Sequence, residues 1–263
     1  MVNLAPHPVG GYALGTRVER LARAMINMIV PPTCLGCDLA VGQVGALCGS
    51  CWSSLRFIEH PYCAVLGTPF AYDPGFGSVS LRAIAEPPDF DRSRSVVLYD
   101  EVARKIIRSL KFGDRPELAP WMARWMLRAG GDVLHPGALI VPVPLHRNRL
   151  LQRRYNQSAE LARNLARITQ QAFRPDLLQR IRPTRQQVGL GANQRARNVR
   201  GAFRVPTSVQ IHVKSSHIVL IDDVYTTGAT LQACARALRR KGAAKIDCLT
   251  FARVANGVAI TDL

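Results

Sequence analysis

The sequence has no apolar run that approaches the roughly 20 residues a helix needs to cross a membrane, so we expect no membrane span. It is also poor in lysine and acids: 30 of its 35 basic residues are arginine, against 18 acids, giving a net charge of +17. Intrinsic disorder is disfavoured because 48% of the 263 residues are hydrophobic. Arginine binds phosphate in planar, two-pronged geometry, so this balance favours polyanionic partners, although a solvated basic surface would carry the same charge.

We do not expect residues 1–30 to be a secretory signal, because residues 1–15 carry no basic cluster. Residues 1–15 are rich in proline and glycine, and a short helix with Val18, Leu21 and Met25 near one face precedes Pro31. We therefore interpret residues 1–30 as a flexible start and a short packing helix. We expect a cytoplasmic protein whose thiols stay reduced.

Two Cys-x-x-Cys pairs, Cys34/Cys37 and Cys48/Cys51, lie close together in the next segment. Each pair places two thiolates on one tight turn, and two such turns supply a tetrahedral Zn²⁺ site. Four cysteines close the coordination sphere, so the predicted zinc is structural and leaves no position for a reactive water. Two disulfides are the weaker alternative, because we expect a reducing compartment. The predicted four-cysteine zinc module spans residues 31–56.

The stretch 218–230, IVLIDDVYTTGAT, combines a strand with an anion-binding turn. Its four leading apolar residues predict a strand buried on both faces of a parallel sheet. Asp222 and Asp223 follow where we expect the strand to end, and a helical pattern begins after Gly228. A helix N-terminus binds anions because its free N–H groups and its dipole point at the ligand. Carboxylates repel phosphate, so the acid pair suits the hydroxyls of a ribose 5-phosphate.

Strand-like and helical segments alternate over residues 92–255, which predicts an α/β domain with a parallel, doubly wound sheet. Ligands bind beyond the carboxyl ends of the strands in such sheets. We therefore expect the loop at 222–230 and the turn at 144–156 to face one crevice. Residues 57–91 are rich in proline, glycine and aromatic residues and show little periodicity, so we interpret them as a linker or irregular lobe.

The surplus positive charge is concentrated in residues 147–204. This segment holds fourteen arginines and no lysine against Glu160 and Asp176, a local net charge of +12. That charge exceeds what one small phosphorylated ligand requires, so we expect some arginines to remain exposed to a nucleic-acid backbone. The surface candidates are Arg163, Arg167 and Arg174.

Three sequence blocks together resemble the ComF family of phosphoribosyltransferase-like proteins. Stretch 218–230 is similar to the thirteen-residue signature of type I phosphoribosyltransferases, and blocks at 142–157 and 180–203 resemble further parts of the family's pattern. The four-cysteine module ahead of them completes the order typical of the family, so the resemblance covers roughly residues 28–254. Many members have a second cysteine cluster. Here Leu66 stands where a partner of Cys63 would be, so we expect Cys63 to be free and a second zinc to be doubtful.

The resemblance implies a fold of the type I phosphoribosyltransferase kind with a pocket for phosphoribosyl pyrophosphate and Mg²⁺. It implies that the acid pair holds the ribose hydroxyls, that the following loop holds the 5-phosphate, and that the 144–156 turn binds pyrophosphate beneath a mobile hood at 180–200. The implied ribose and 5-phosphate residues are Asp222, Asp223, Thr226, Thr227, Gly228, Ala229 and Thr230. The implied pyrophosphate and hood residues are Arg147, Arg149, Arg153, Arg154, Arg180, Arg182 and Arg195.

ComF-like proteins are linked to DNA uptake in natural transformation, beside a helicase-like ATPase. The resemblance therefore implies a phosphoribosyl pyrophosphate-binding protein that serves DNA uptake, with phosphoribosyl transfer to an unknown acceptor as a further activity. The alternative is a competence factor that binds single-stranded DNA and keeps a vestigial nucleotide pocket. No residue stands out as a general base, so the sequence leaves catalysis open, and a homodimer is compatible with it. We do not expect an amidophosphoribosyltransferase, because residue 2 is Val2 and no glutaminase domain fits before Cys34.

Overall fold

The computed structural model describes residues 31–43, 45–112, 115–146, 150, 155–183 and 192–255. The predicted flexible start and short helix at 1–30 lie outside the described residues. Four of the predicted pyrophosphate-binding arginines also lie outside them, namely Arg147, Arg149, Arg153 and Arg154.

A five-stranded parallel sheet forms the centre of the α/β domain, with the strand order β1-β7-β6-β2-β3, and β4 and β5 pair antiparallel in a separate ribbon. The strands are β1 (Arg92–Leu98), β2 (Leu139–Pro142), β3 (Ala172–Phe173), β4 (Gln179–Arg180), β5 (Phe203–Arg204), β6 (His217–Tyr225) and β7 (Lys245–Arg253). The predicted parallel, doubly wound sheet is confirmed.

Helices connect these strands and cover both faces of the sheet. They are α1 (Gly49–Ser54), α2 (Leu81–Ala85), α3 (Glu101–Phe112), α4 (Ala119–Ala129), α5 (Gln157–Thr169), α6 (Ala192–Val199), α7 (Gln210–Val213) and α8 (Ala229–Arg239), with 3₁₀ turns at Pro116–Leu118 and Thr207–Val209. Within the described part of the chain, every helix is too short or too polar to cross a membrane.

The core lies in two layers, one on each face of the sheet. Alternate residues of β6 point to opposite layers: Ile218 and Leu220 join one cluster, and Val219 and Ile221 join the other. Helix α8 and the β4–β5 ribbon contribute to the first layer, and α3, α4 and α5 to the second. Burial on both faces explains why β6 reads as a continuous apolar run rather than an alternating one.

Strand β6 continues through the acid pair to Tyr225, beyond the end that we expected. Its pairing with β7 reaches Tyr225 and Arg253, whereas its pairing with β2 stops at Ile221 and Pro142. From β2 the chain moves outward to β3, and from β6 it moves the opposite way to β7. A crevice therefore opens between β2 and β6 at their carboxyl ends, which is the switch point where such sheets bind ligands.

The segment before the sheet packs on both of its faces. Leu35 and Leu55 of the four-cysteine module join the core layer of α3 to α5. Residues 57–91, which we interpreted as a linker or irregular lobe, place Cys63, Leu66 and Ala83 in the core layer of α8. The segment also covers the edge of β1, since Ser93 N donates to Val65 O at 2.8 Å. A covered edge strand cannot pair with another chain.

A substitution at Gly67 would measure how tightly residues 57–91 pack against β1. The φ of Gly67 is +63°, and a Cβ there would lie 2.3 Å from the Ser93 carbonyl oxygen. Gly137 has a similar φ of +82° with no atom within 4 Å of the added Cβ, so it reports the backbone penalty alone. Gly137→Ala should therefore cost about 1–2 kcal/mol of unfolding free energy. Gly67→Ala should cost at least about twice as much in chemical denaturation, because the clash adds to the same penalty. Equal costs would show that the docking is loose.

Candidate functional site

Strand β6 carries the predicted acid pair to the crevice, where each carboxylate contacts a different helix. Ser158 Oγ, in the first turn of α5, donates to Asp222 Oδ1 at 2.7 Å. Lys111 Nζ, at the end of α3, lies 2.8 Å from Asp223 Oδ2, with both side chains largely buried. The two acids therefore share one crevice but have separate partners.

Asp222 is the more strongly perturbed of the two acids. Its burial, together with the neighbouring Asp223 carboxylate, raises the pKa of Asp222 to about 7, although Ser158 and Lys111 act in the opposite direction. Hydrogen-bond donors stabilise an ionised carboxylate, so a ligand with hydroxyl groups would offset the cost of ionising Asp222. This environment suits the ribose contact that the sequence predicts for this residue.

The loop after β6 is the predicted anion-binding half of the site. Gly228 caps α8 with a φ of +79°, and an added Cβ would lie 2.4 Å from the Tyr225 hydroxyl oxygen. Only glycine fits this position. Thr227 Oγ1 accepts a weak hydrogen bond from Ala229 N at 3.4 Å, and the side chains of Thr226, Thr227 and Thr230 are half-buried. The first turn of an eleven-residue helix thus presents N–H groups and a positive dipole end beside the acid pair.

The helix ends that supply Ser158 and Lys111 are tied to the sheet and to each other. Asn156 caps α5 through its Oδ1, and its Nδ2 donates to Val143 O just beyond β2 at 3.1 Å. The Tyr155 hydroxyl donates to the carbonyl of Leu110 in α3. The sequence predicted neither partner of the acid pair. A serine two residues after a capping asparagine is a weak signal for Ser158, and none identifies Lys111.

Three predicted hood arginines fall within the described residues, and they lie in or beside β4 and α6. Arg182 Nη1 donates to Arg200 O at 2.9 Å, while the Arg180 guanidinium lies 5.4 Å from the centre of the Phe203 ring. Arg195 is buried, and this burial lowers its pKa. Because α6 and β5 contact α8, these arginines belong to the unit that packs on the phosphate-loop helix. Their contact with pyrophosphate stays a prediction.

The four predicted zinc ligands converge on one point. Their Sγ atoms all lie within 4.8 Å of one another, with 3.5 Å between Cys37 and Cys48. A tetrahedral zinc with Zn–S bonds of about 2.3 Å separates its sulfurs by about 3.8 Å, so the cluster fits that ion. Burial raises the pKa of Cys34, but N–H groups led by those of Cys48 and Gly36 outweigh it and lower the pKa to about 6. Such donors stabilise the thiolate that a metal requires.

Two family models match the chain in the order of these two sites. The model of a double zinc ribbon domain matches residues 25–81, and the model of a phosphoribosyl transferase domain matches residues 157–259. The first range contains the four-cysteine cluster, and the second contains the acid pair with its phosphate loop.

Curated proteins match over most of the chain. The chain is 31% identical over 236 residues to DNA utilization protein YhgH of Escherichia coli (strain K12), covering 86% of this chain and 99% of that protein. It is 28% identical to Competence protein F of Haemophilus influenzae over 227 residues, covering 84% and 96%. Competence protein ComFC of Bacillus subtilis is 26% identical over 216 residues, covering 79% and 84%. The chain therefore belongs to the ComF family, in which zinc-ribbon sequence precedes a phosphoribosyltransferase domain.

Proposed function

We propose that this protein binds phosphoribosyl pyrophosphate with Mg²⁺ in the crevice between β2 and β6, in the service of DNA uptake. The observation that carries the proposal is the adjacency of the acid pair and the N-terminus of α8 on one strand–loop–helix unit. Asp222 and Asp223 would accept hydrogen bonds from the ribose hydroxyls. The N–H groups and hydroxyls of residues 226–230 would hold the 5-phosphate.

The buried partners of the acids give each of them a distinct role in this proposal. Lys111 fixes the position of Asp223, because its ammonium lies 2.8 Å from Asp223 Oδ2 in a largely buried ion pair. Ser158 orients Asp222 with its hydroxyl, leaving the second carboxylate oxygen for the ligand. Mg²⁺ supplies neutralising charge to the ligand's phosphate oxygens when bound. Transfer to a nitrogenous acceptor would further require the leaving pyrophosphate to be stabilised, a role that we assign to Arg180 and Arg182 of the hood.

The biological setting is inferred from the relatives. DNA utilization and competence are the roles that their names carry, and we extend them to this chain on the shared domain order. A helicase-like ATPase remains our proposed partner on the family resemblance alone, and a homodimer remains compatible with the sequence.

Direct binding of single-stranded DNA is the second candidate function, favoured by the exposed arginines. Nine arginines of the segment 147–204 are described, and six of them are exposed. The exposed ones are Arg163, Arg167, Arg182, Arg197, Arg200 and Arg204. Arg174, predicted to be a surface candidate, is instead half-buried and pairs with Asp176 at 2.8 Å. A pocket for one small ligand does not require so many exposed charges.

Ligand binding tests the first proposal. The unmodified protein should bind phosphoribosyl pyrophosphate with Mg²⁺ in calorimetry at pH 8, and Asp222→Asn or Asp223→Asn should weaken binding by about 1–3 kcal/mol each, the range for a charged hydrogen-bond partner. Thr227→Val should weaken binding of both this ligand and ribose 5-phosphate, because it alters the phosphate end. The exposed Asp73→Asn is the matched control and should change neither. No heat from the unmodified protein at millimolar ligand would refute the proposal.

The raised pKa of Asp222 predicts that Asp222→Asn stabilises the ligand-free protein by an amount that depends on pH. A carboxyl whose folded pKa is about 7 rather than 3.8 contributes stability below pH 4 that is lost as the pH rises to 7. The neutral amide avoids that loss. The variant should match the unmodified protein near pH 4 and exceed it above pH 7 by about 1–4 kcal/mol in unfolding free energy.

The charges that face Asp222 are those of Asp223 and Lys111. Asp223→Asn is therefore the control. It removes the repulsion between the two carboxylates but also the ion pair with Lys111, so the unfolding free energy should rise by less than in Asp222→Asn, or should fall. A stability curve for Asp222→Asn that runs parallel to the unmodified protein at every pH would contradict the assignment.

Salt dependence tests direct DNA binding. The unmodified protein should retard single-stranded DNA in mobility-shift titrations. A plot of log affinity against log salt concentration should fall with a slope of about −0.7 for each phosphate that the protein neutralises. Arg163, Arg167 and Arg204 are exposed and lie outside the 180–200 hood. Replacing all three by Ala should lower that slope by up to about 2 without weakening phosphoribosyl pyrophosphate binding. The same charge is removed from exposed positions outside the segment by the control replacement of Arg56, Arg108 and Arg240. Equal salt slopes for the two triple variants would contradict a DNA site in the segment 147–204, because any exposed arginine would then contribute equally.

A further inference from the structure

The first cysteine turn has a defined backbone pattern. Cys34 N donates to Leu39 O at 2.7 Å, and Asp38 N donates to Cys34 O at 3.1 Å, with Asp38 at a φ of +61°. Val41 N closes the turn by donating to Pro32 O at 2.8 Å. This turn presents the first two sulfurs of the zinc cluster.

The same pattern recurs 29 positions later, at the segment that we expected to be irregular. Cys63 N donates to Thr68 O at 2.8 Å, and Gly67 N donates to Cys63 O at 2.8 Å, with Gly67 at a φ of +63°. Phe70 N donates to Pro61 O at 3.0 Å. Each bond of the first turn thus has a counterpart of similar length in the second.

The second half of the ribbon is repeated as well. In the four-cysteine module, Cys48 N donates to Cys34 Sγ at 3.2 Å. In the later segment, Ser80 N donates to Cys63 Sγ, also at 3.2 Å. Ser80 therefore occupies the position of the third zinc ligand.

Both of these residues cap a short helix. Cys48 caps α1 by accepting from Cys51 N at 3.4 Å, and Ser80 caps α2 by accepting from Ala83 N at 3.4 Å. Ala83 therefore occupies the position of the fourth ligand. The match between two helix caps is independent of the match between the two turns.

We infer that residues 61–85 are a second ribbon that folds without metal. The double zinc ribbon model implies two zinc sites, but the second set of positions does not fit a metal, because leucine and alanine side chains have no donor atom. The four positions that correspond to Cys34, Cys37, Cys48 and Cys51 are Cys63, Leu66, Ser80 and Ala83.

Packing on the α/β domain stabilises the second ribbon in place of a metal. Cys63, Leu66 and Ala83 are buried in the core layer of α8. The Leu66 carbonyl accepts hydrogen bonds from Ser93 Oγ at 2.7 Å and from the buried Arg253 guanidinium. Apolar burial and docking to β1 and β7 therefore replace the cross-link that a zinc would supply.

Introducing cysteines at the three positions that lack them tests whether the two sets of four positions are equivalent. The unmodified protein should contain one zinc per chain by elemental analysis, and the triple variant Leu66→Cys, Ser80→Cys, Ala83→Cys should contain two. Cobalt substitution should double the intensity of the tetrahedral thiolate bands. The control with Leu66→Ser, Ser80→Cys and Ala83→Ser disturbs the same positions but supplies only two thiols, and it should keep one zinc. A folded triple variant with one zinc, or an unmodified protein with two, would overturn the inference.

Amide exchange on the unmodified protein gives a second test that does not depend on the variant folding. Removing zinc with a chelator should speed exchange of the Gly36 and Cys48 amides by at least about tenfold, because their ribbon loses its cross-link. The Leu66 and Ser80 amides should keep their protection, since no metal holds them. Loss of protection in both ribbons together would show that the second also depends on metal.

Discussion

The unequal pairing of β6 is the constraint on which the site depends. Its ladder with β7 holds the strand rigid as far as Tyr225, while its ladder with β2 ends at Ile221. Within the described residues, the last four positions of the strand therefore have a neighbouring strand on only one side. The acid pair lies in this stretch, fixed by backbone hydrogen bonds yet open to the crevice, and the loop to α8 begins where the remaining ladder ends. A binding site held in this way needs little reorganisation when a ligand enters.

Two adjacent carboxylates in a partly buried crevice are costly, and the surrounding side chains offset the cost unequally. Lys111 pairs directly with Asp223. Asp222 accepts hydrogen bonds from the Ser158 hydroxyl and the Asp223 N–H and lies farther from the Lys111 charge, and its burial beside Asp223 still raises its pKa to about 7. The ligand-free crevice thus retains an unfavourable interaction that a polyhydroxyl ligand and its cation would relieve. Destabilised polar groups of this kind are typical of functional sites rather than of positions selected for stability alone.

The two ribbons show alternative ways to stabilise a segment too small to have a core of its own. The first ribbon has four thiols that fit a zinc and adds only a few apolar residues to the layer of α3 to α5. The second has one thiol and is built into the layer of α8, with Gly67 pressed against the Ser93 carbonyl. Leu98 N and Ser93 N of β1 donate to Arg56 O, at the end of the four-cysteine module, and to Val65 O of the second ribbon, so both segments contribute to covering this edge of the sheet. Small modules commonly depend on a metal or on a neighbouring domain in this way.

The sequence by itself determined the elements whose signals are local. The four cysteines, the phosphate-loop glycine Gly228 and the alternation of buried strands with helices each follow from spacing over a few residues. Only the tertiary structure decided which distant groups meet. Lys111 and Ser158 reach the acid pair across 112 and 64 positions, and no periodicity encodes such a contact. The sequence indicated only Cys63 and Leu66 of the second ribbon, for a related reason. The rest of its pattern lies in backbone hydrogen bonds, which do not require the four cysteines that identify the first ribbon in the sequence.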